Sequence, residues 1–159
     1  MSTTLKPLYG TSNQAITCTF TSLGNASYRQ STVIDNSSNL FQDVLVTIKA
    51  KSASSAVNAV GTVQVFVYAT TDGGSSYDGS CSGSDAAYTP PVTPVNLVLG
   101  CVLSLNANSV TDQRSFSLMQ CFGGSMPQKW GIVVFNNTGA TLDASVGSAW
   151  YQGLQTQAA

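Results

Sequence analysis

The chain has 159 residues, of which 43% are hydrophobic and only 8% are charged, whereas about a quarter of a typical soluble domain is charged. This length fits one domain with a substantial core. The net charge of −1 gives no electrostatic basis for binding nucleic acid or acidic lipid, and no apolar run is long enough to span a bilayer. We therefore expect neither a nucleic-acid partner nor a membrane partner.

The composition also argues against an enzyme. The chain has no histidine, so the commonest general base is missing and Ser-His-Asp or Cys-His arrangements cannot form. All seven acidic residues are aspartates, and Asp35, Asp72 and Asp78 stand beside Gly or Asn in turn signals. No glycine loop with a phosphate-binding lysine is present. We expect no catalytic residue, no metal and no cofactor.

A surface built from hydroxyl, amide and small side chains is poorly protected against association, because solubility normally depends on interspersed charge. The composition therefore favours a subunit that is largely covered by neighbours, including copies of itself. The first residues lack the basic region and apolar core of a secretory signal, which predicts synthesis in a reducing cytoplasm.

Alternation with period two dominates the chain and predicts β-strands. In chain order, the apolar-alternating segments are 13–21, 40–50, 61–70, 95–104, 114–122, 130–136 and 141–155. The expected core faces are Ile16, Cys18 and Phe20; Val44, Val46 and Ile48; Val63, Val65 and Val67; and Phe116, Leu118 and Phe122. The segment 95–104 is almost entirely apolar, which predicts a strand buried on both faces, with a bulge at Gly100.

Gly-, Asn- and Ser-rich turns separate these segments. The pattern predicts an all-β fold: a single β-sandwich or jelly-roll-like domain of about eight antiparallel strands over residues 13–159. The stretch 72–94 is too long for a hairpin turn and is expected to be a surface excursion. Residues 1–12 are expected to form an extended arm that needs a partner surface for order. The candidate partner-binding residues of the arm are Leu5, Pro7, Leu8 and Tyr9.

The four cysteines, Cys18, Cys81, Cys101 and Cys121, are all candidates for disulfides. Their spacing includes no CxxC pair, and the chain has no histidine that could complete a zinc site. Cys18 and Cys101 lie in strand-like runs and are expected to be buried. Cys81 lies in a Gly/Ser-rich loop, so we expect it to be exposed and to crosslink, within or between subunits, once the protein meets an oxidising medium.

Two binding functions stay open as alternatives. Asp72, Asp78 and Asp85 could surround a calcium ion, although their spacing fits no EF-hand and a plain polar loop explains them better. A carbohydrate- or receptor-binding β-sandwich would need an aromatic platform. The candidate platform residues are Tyr68, Tyr77, Tyr88, Trp130, Trp150 and Tyr151, and packing in the core or at a sheet end is the simpler explanation.

Several segments together resemble small structural proteins of tailed bacteriophages. These segments are 6–17 (KPLYGTSNQAIT), 31–36 (STVIDN), 65–77 (VFVYATTDGGSSY), 122–134 (FGGSMPQKWGIVV) and 151–153 (YQG). The resemblance implies a virion protein made in the host cytoplasm, most simply a head decoration (cement) protein. Such a protein would bridge subunits of the major capsid protein, often as a homotrimer or another homo-oligomer. A collar or tail-attached role is the alternative under the same resemblance.

Overall fold

The computed structural model describes residues 5–92 and 96–158. Within these ranges the chain forms eleven strands in two antiparallel sheets, so the prediction of an all-β sandwich is confirmed. The strands are β1 (Leu5–Tyr9), β2 (Gln14–Ala15), β3 (Ser27–Gln30), β4 (Ile34–Asp35), β5 (Asp43–Lys51), β6 (Thr62–Thr70), β7 (Ala86–Tyr88), β8 (Val98–Ser104), β9 (Thr111–Ser117), β10 (Lys129–Asn137) and β11 (Gly147–Ala158). A short helix, α1 (Leu118–Cys121), and a 3-10 turn at Asp78–Ser80 complete the description.

The first sheet has the strand order β1-β11-β5-β9, and β2 also pairs with β11. The second sheet has the order β7-β3-β10-β6-β8, and β4 also pairs with β10. Within the described ranges, no helix is long and apolar enough to cross a membrane.

The core lies between the sheets and follows the period-two pattern. Val44, Val46 and Ile48 of β5 are fully buried, as are Val63 and Val65 of β6. These side chains pack in one cluster, so the predicted faces of these two strands are confirmed. Two large aromatic side chains join the sheets across this cluster, since Trp130 packs edge-to-face on Tyr151 with ring centroids 5.5 Å apart.

The second sheet is also covered on its outer face. Residues 72–92 fold back over β6 and β10, and their strand β7 pairs with β3. A second buried cluster results, formed by Phe66, Tyr68, Cys81, Tyr88, Leu97 and Val133. The predicted surface excursion is therefore a cover with its own strand, and β6 is buried on both faces; Thr93 and Pro94 lie outside the described residues.

The prediction that segment 95–104 is buried on both faces is wrong. Strand β8 is the edge strand of the second sheet, and Val98, Leu99 and Val102 are exposed. The predicted bulge is confirmed, because the β6–β8 register steps from Cys101 to Leu99 and leaves Gly100 as the extra residue. Alternation and apolarity describe a strand, but its position in the sheet depends on pairing that the local sequence does not encode.

Two other segments pair over shorter lengths than predicted. In segment 13–21 only Gln14 and Ala15 pair as a strand, although Ile16 and Phe20 are buried as expected. Segment 114–122 changes to helix after Ser117, because the Ser117 hydroxyl accepts a hydrogen bond from the Gln120 N–H and begins α1. Hydroxyl capping of this kind competes with strand pairing.

Because β6 is buried on both faces, replacing Gly131, which lies opposite Tyr68 of β6, should strongly reduce stability. A Cβ atom at this position of β10 would overlap the ring of Tyr68, which is fully buried and donates a hydrogen bond to the Ser31 carbonyl. We expect Gly131→Ala to lower the free energy of unfolding by about 1–3 kcal/mol through overpacking, measured by urea denaturation. Gly24→Ala is the control, because its Cβ would only approach the Ser27 hydroxyl at 3.4 Å; equal stability of the two variants would contradict this account.

Candidate functional site

One end of the first sheet extends beyond the rest of the sandwich as a two-stranded ribbon. Strand β5 pairs with β11 only as far as Asp43 opposite Leu154, whereas β11 continues to Ala158. Beyond that point β11 pairs with β1 alone, from Tyr9 opposite Leu154 to Leu5 opposite Ala158. We call Leu5–Tyr9 together with residues 154–158 the terminal ribbon. Two strands without further support are marginally stable in water, so the ribbon is suited to contact something else.

The terminal ribbon carries exposed apolar side chains. Leu5 and Tyr9 are 68% and 66% exposed, and Leu8 is 38% exposed. Lys6 is the only charged residue of the ribbon. Apolar side chains grouped at a projecting end are typical of a contact surface.

A loop at the same end of β5 presents one more apolar side chain. The buried Asn36 side chain clamps Phe41, accepting from its N–H at 3.0 Å and donating to its carbonyl at 3.0 Å. Between these residues Leu40 is 70% exposed and has a φ of +52°. Leucine rarely adopts this left-handed backbone, and the conformation holds its apolar side chain in solvent.

Phe41 connects this loop to the base of the ribbon. Its ring lies against Gly10 and Gly153, where a Cβ atom would overlap it. A groove of about 420 Å³ lies beside the loop and is lined by Asn36, Ser37, Leu40, Phe41, Met126, Pro127 and Gln128. The ribbon, Leu40 and this groove together form the candidate functional site.

The predicted arm residues are all part of this site. Leu5, Pro7, Leu8 and Tyr9 form β1, which is already paired with β11 of the same chain. Residues 1–4 of the predicted arm lie outside the described residues. Binding of a partner by the arm residues stays a prediction.

The four cysteines are free thiols, and the expectation that Cys81 is exposed is wrong. Cys81 is only 6% exposed because it packs under Tyr88 and Leu97 in the second cluster. Cys18, Cys101 and Cys121 are half-buried against the main core. Burial raises the pKa of Cys18, Cys81 and Cys101 to about 12 each. A disulfide among the four stays a prediction.

This burial predicts slow thiol chemistry. At pH 8 a thiol with a pKa near 12 holds almost no thiolate, so alkylation of Cys81 should be at least about a hundredfold slower than that of a free cysteine. Mass spectrometry after a timed iodoacetamide pulse measures the rate at each position. The denatured chain is the control, in which all four thiols should react quickly; rapid labelling of Cys81 in the folded protein would contradict its burial.

The three aspartates considered for calcium make separate local contacts. Asp72 accepts hydrogen bonds from its own turn, and those from Ser76 and Thr70 hold its pKa well below the usual range. Asp78 accepts from the Ala69 N–H at 3.0 Å. Among the described residues, no three Asp or Cys side chains come together as metal ligands.

Asp85 joins the cover of the second sheet to two other segments. It accepts from Arg29 Nε at 2.6 Å and from both the N–H and the hydroxyl of Thr19. Burial opposes ionisation of Asp85, but the hydrogen bonds from Arg29 and Thr19 outweigh it and lower its pKa to about 2. The ionised carboxylate therefore stabilises the folded state.

The sign of this shift defines a pH window. Because the folded pKa lies below the ordinary value near 4, the stabilisation is present above about pH 4 and is lost as the pH falls towards 2. We expect Asp85→Asn to reduce stability by about 1–3 kcal/mol at pH 7 and to flatten the acid limb of a Tm–pH curve. Asp35→Asn is the comparison variant. The pKa of that carboxyl is also lowered, chiefly by hydrogen bonds from Ser37 of its own turn, but it is more exposed than Asp85 and its ion pair with Lys129 is longer, at 3.5 Å, so its effect should be smaller. An unchanged acid limb in Asp85→Asn would contradict the assignment.

The six aromatic residues considered as a sugar platform do not share one exposed face. Tyr68, Tyr88, Trp130 and Tyr151 are buried. A different aromatic pair lies partly open on the outer face of the second sheet, where Tyr28 stacks on Phe135 with centroids 4.2 Å apart. Neither residue stands out in the sequence, because the pair forms only when β3 and β10 align.

Leu40 and the final residues of β11 belong to the candidate site but were not among the residues that the sequence predicted for it. The turn-rich run before Leu40 predicts a loop, but neither its left-handed backbone nor its exposure. The end of β11 is notable only because β5 stops short of it, and that difference in length appears only in the paired sheet.

Comparisons with known proteins add little. No protein-family model matches the chain, and no curated protein matches it. Among solved structures, a latent aurone synthase (polyphenol oxidase) shares 9% identity over 97% of this chain, with a TM-score of 0.34. This chain spans 24% of the length of that enzyme.

Two viral structures are also similar at this level. The BFDV capsid protein shares 11% identity with a TM-score of 0.29, and the alignment covers 99% of both chains. A chain of the Cowpea Mosaic Virus empty virus-like particle shares 8% identity with a TM-score of 0.30, covering 99% of this chain and 82% of that one. These scores are too low to assign a family or a function, and the class defined by the structure is an all-β sandwich.

Proposed function

We propose that this protein is a structural component of a bacteriophage particle, and that it decorates the head by binding the assembled lattice of the major capsid protein. The terminal ribbon is the observation that carries the proposal. Three large apolar side chains of the ribbon, Leu5, Leu8 and Tyr9, are exposed where β11 and β1 continue past the end of β5.

The physical demands of such a role agree with the rest of the chain. A decoration protein stabilises a capsid by binding the assembled lattice better than its free subunits. It needs a rigid body and a projecting element that reaches a neighbour. The doubly covered second sheet supplies rigidity, and the ribbon with Leu40 supplies the contact. The low charge of the surface fits an environment crowded by other subunits.

The test is binding to heads of the encoding phage from which this protein has been removed. We expect the double variant Leu5→Ser/Tyr9→Ser to bind at least about tenfold more weakly, because each side chain loses apolar burial at the contact. Val60→Ser is the matched control, since Val60 is 82% exposed in the loop at the opposite end of β5. Equal binding of the double variant and the wild type would refute the role of the ribbon.

Deletion of residues 1–12 tests the same site more severely. The buried core begins at Ile16, so the truncated protein should keep its fold, as measured by circular dichroism, while its capsid occupancy falls. Undiminished occupancy would refute attachment through the arm. Counting copies per purified particle then separates head decoration or a tail-length protein, which predict hundreds, from a collar or tail-tip role, which predicts a dozen or fewer.

A further inference from the structure

The direction of backbone groups along β11 shows which of them are unpaired in the terminal ribbon. The Leu154 carbonyl accepts from the Gln42 N–H, on the β5 side of β11, whereas the Gly153 carbonyl accepts from the Gly10 N–H, on the β1 side. The backbone N–H and C=O groups of successive residues in a strand point alternately to its two sides. The N–H and C=O groups of Thr156 and Ala158 therefore point to the side where β5 has already ended.

The other sheet edges of the described chain are either blocked or very short, and β2 and β4 have only two residues each. By the same alternation, the backbone groups of β1 that point away from β11 belong to Leu5, Pro7 and Tyr9. The free edge of β1 therefore has at its centre Pro7, which has no backbone N–H to donate. Strand β7 has three residues and is soon followed by Pro90 and Pro91.

The β8 and β9 edges block each other. The bulge at Gly100 interrupts the β8 edge. The Ser104 N–H of β8, which points away from β6, donates a hydrogen bond to the Asp112 carboxylate of β9 at 2.9 Å. Arg114 adds a second charge to β9. Among the described edge strands of four or more residues, the end of β11 is the one edge that carries neither proline, charge nor bulge.

We infer that the free edge of β11 pairs with the same edge of a second copy of this chain, in an antiparallel two-fold contact. Residues 155–158 carry no charged side chain, so an identical strand meets it without like-charge repulsion. The result is a four-stranded sheet in the order β1-β11-β11-β1. Both of its outer edges contain Pro7, which stops further strand addition and limits the contact to a dimer rather than a fibre.

The register of this contact follows from the same geometry. Gln42 and Asp43 occupy the position beside Leu154, and the Gln42 side chain reaches the Thr156 hydroxyl at 2.9 Å. The backbone groups left for a partner strand are therefore those of the residues that follow Leu154. Centring the two-fold axis on Gln157 places Thr156 of each subunit opposite Ala158 of the other. In that register the outward N–H and C=O groups pair with one another, and the two Gln157 residues face each other at the short spacing of a non-hydrogen-bonded pair.

This inference goes beyond the proposed function, because it adds a contact between two copies of the chain to the contact with the capsid. A four-residue contact is far smaller than a standard interface, so we expect a weak dimer in solution that capsid binding would strengthen by holding copies close together. The dimer would also join two terminal ribbons, and their exposed apolar side chains, into one larger surface.

Sedimentation equilibrium of the full chain, over concentrations up to about 1 mM, tests the inference. Thr156→Pro removes an outward N–H but no bond to β1, because Pro7 opposite it is a non-hydrogen-bonded partner. We expect it to raise the dimer dissociation constant by about tenfold to a hundredfold, since each of two symmetric hydrogen bonds is lost. Thr156→Val is the matched control, since it removes the hydroxyl that contacts Gln42 at 2.9 Å but keeps the N–H.

Disulfide trapping provides a second readout that detects a weak dimer. Gln157→Cys should form a covalent dimer under mild oxidation by glutathione disulfide, because the facing Cα atoms would lie within disulfide range. Gln113→Cys, exposed on β9, is the control and should stay monomeric. A wild-type mass that stays at 16.5 kDa together with no Gln157→Cys dimer would overturn the inference, as would an oligomer that Thr156→Pro leaves unchanged. Capsid binding by Thr156→Pro shows separately whether the proposed function stands.

Discussion

The free edges of the two sheets are the constraint on which this structure depends. An edge strand presents a row of unpaired N–H and C=O groups, and a charge-poor chain is especially exposed to unwanted pairing through it. Here the edges are closed by local means: Pro7 on β1, the shortness of β7, and the Asp112 contact that joins β9 to the Ser104 N–H of β8. Strand β11 extends past the end of β5 and leaves one edge unpaired, and the exposed side chains of Leu5, Leu8, Tyr9 and Leu40 lie at the same end of the sheet.

The cover of the second sheet provides the rigidity that a projecting ribbon requires. Residues 72–92 bury Phe66 and Tyr68 on a face that would otherwise meet solvent. The cover is held by polar contacts at its margin, chiefly Arg29 and Thr19 on Asp85. Because these contacts join segments far apart in sequence, they fix the cover to the sandwich and give β6 the double burial seen in strands at the centre of a fold.

Low charge, an open strand edge and exposed apolar side chains are liabilities for a free monomer, but they suit a subunit that works inside an assembly. These features meet at one end of the molecule, where the terminal ribbon, Leu40 and the groove beside Phe41 lie together. The structural role proposed above would explain them jointly. The four thiols are buried or half-buried and pack as part of the two apolar clusters.

The sequence by itself determined the strand-rich fold class and the inward faces of β5 and β6, because period-two alternation is a local property that burial enforces directly. It also indicated the bulge at Gly100 and the segment that carries Leu5, Pro7, Leu8 and Tyr9. Only the tertiary structure decided that Cys81 is buried, that β8 is an edge, and that β11 extends past β5. Each of these depends on which distant strand lies alongside, and pairing between segments that are far apart leaves no signature in the local pattern of residues.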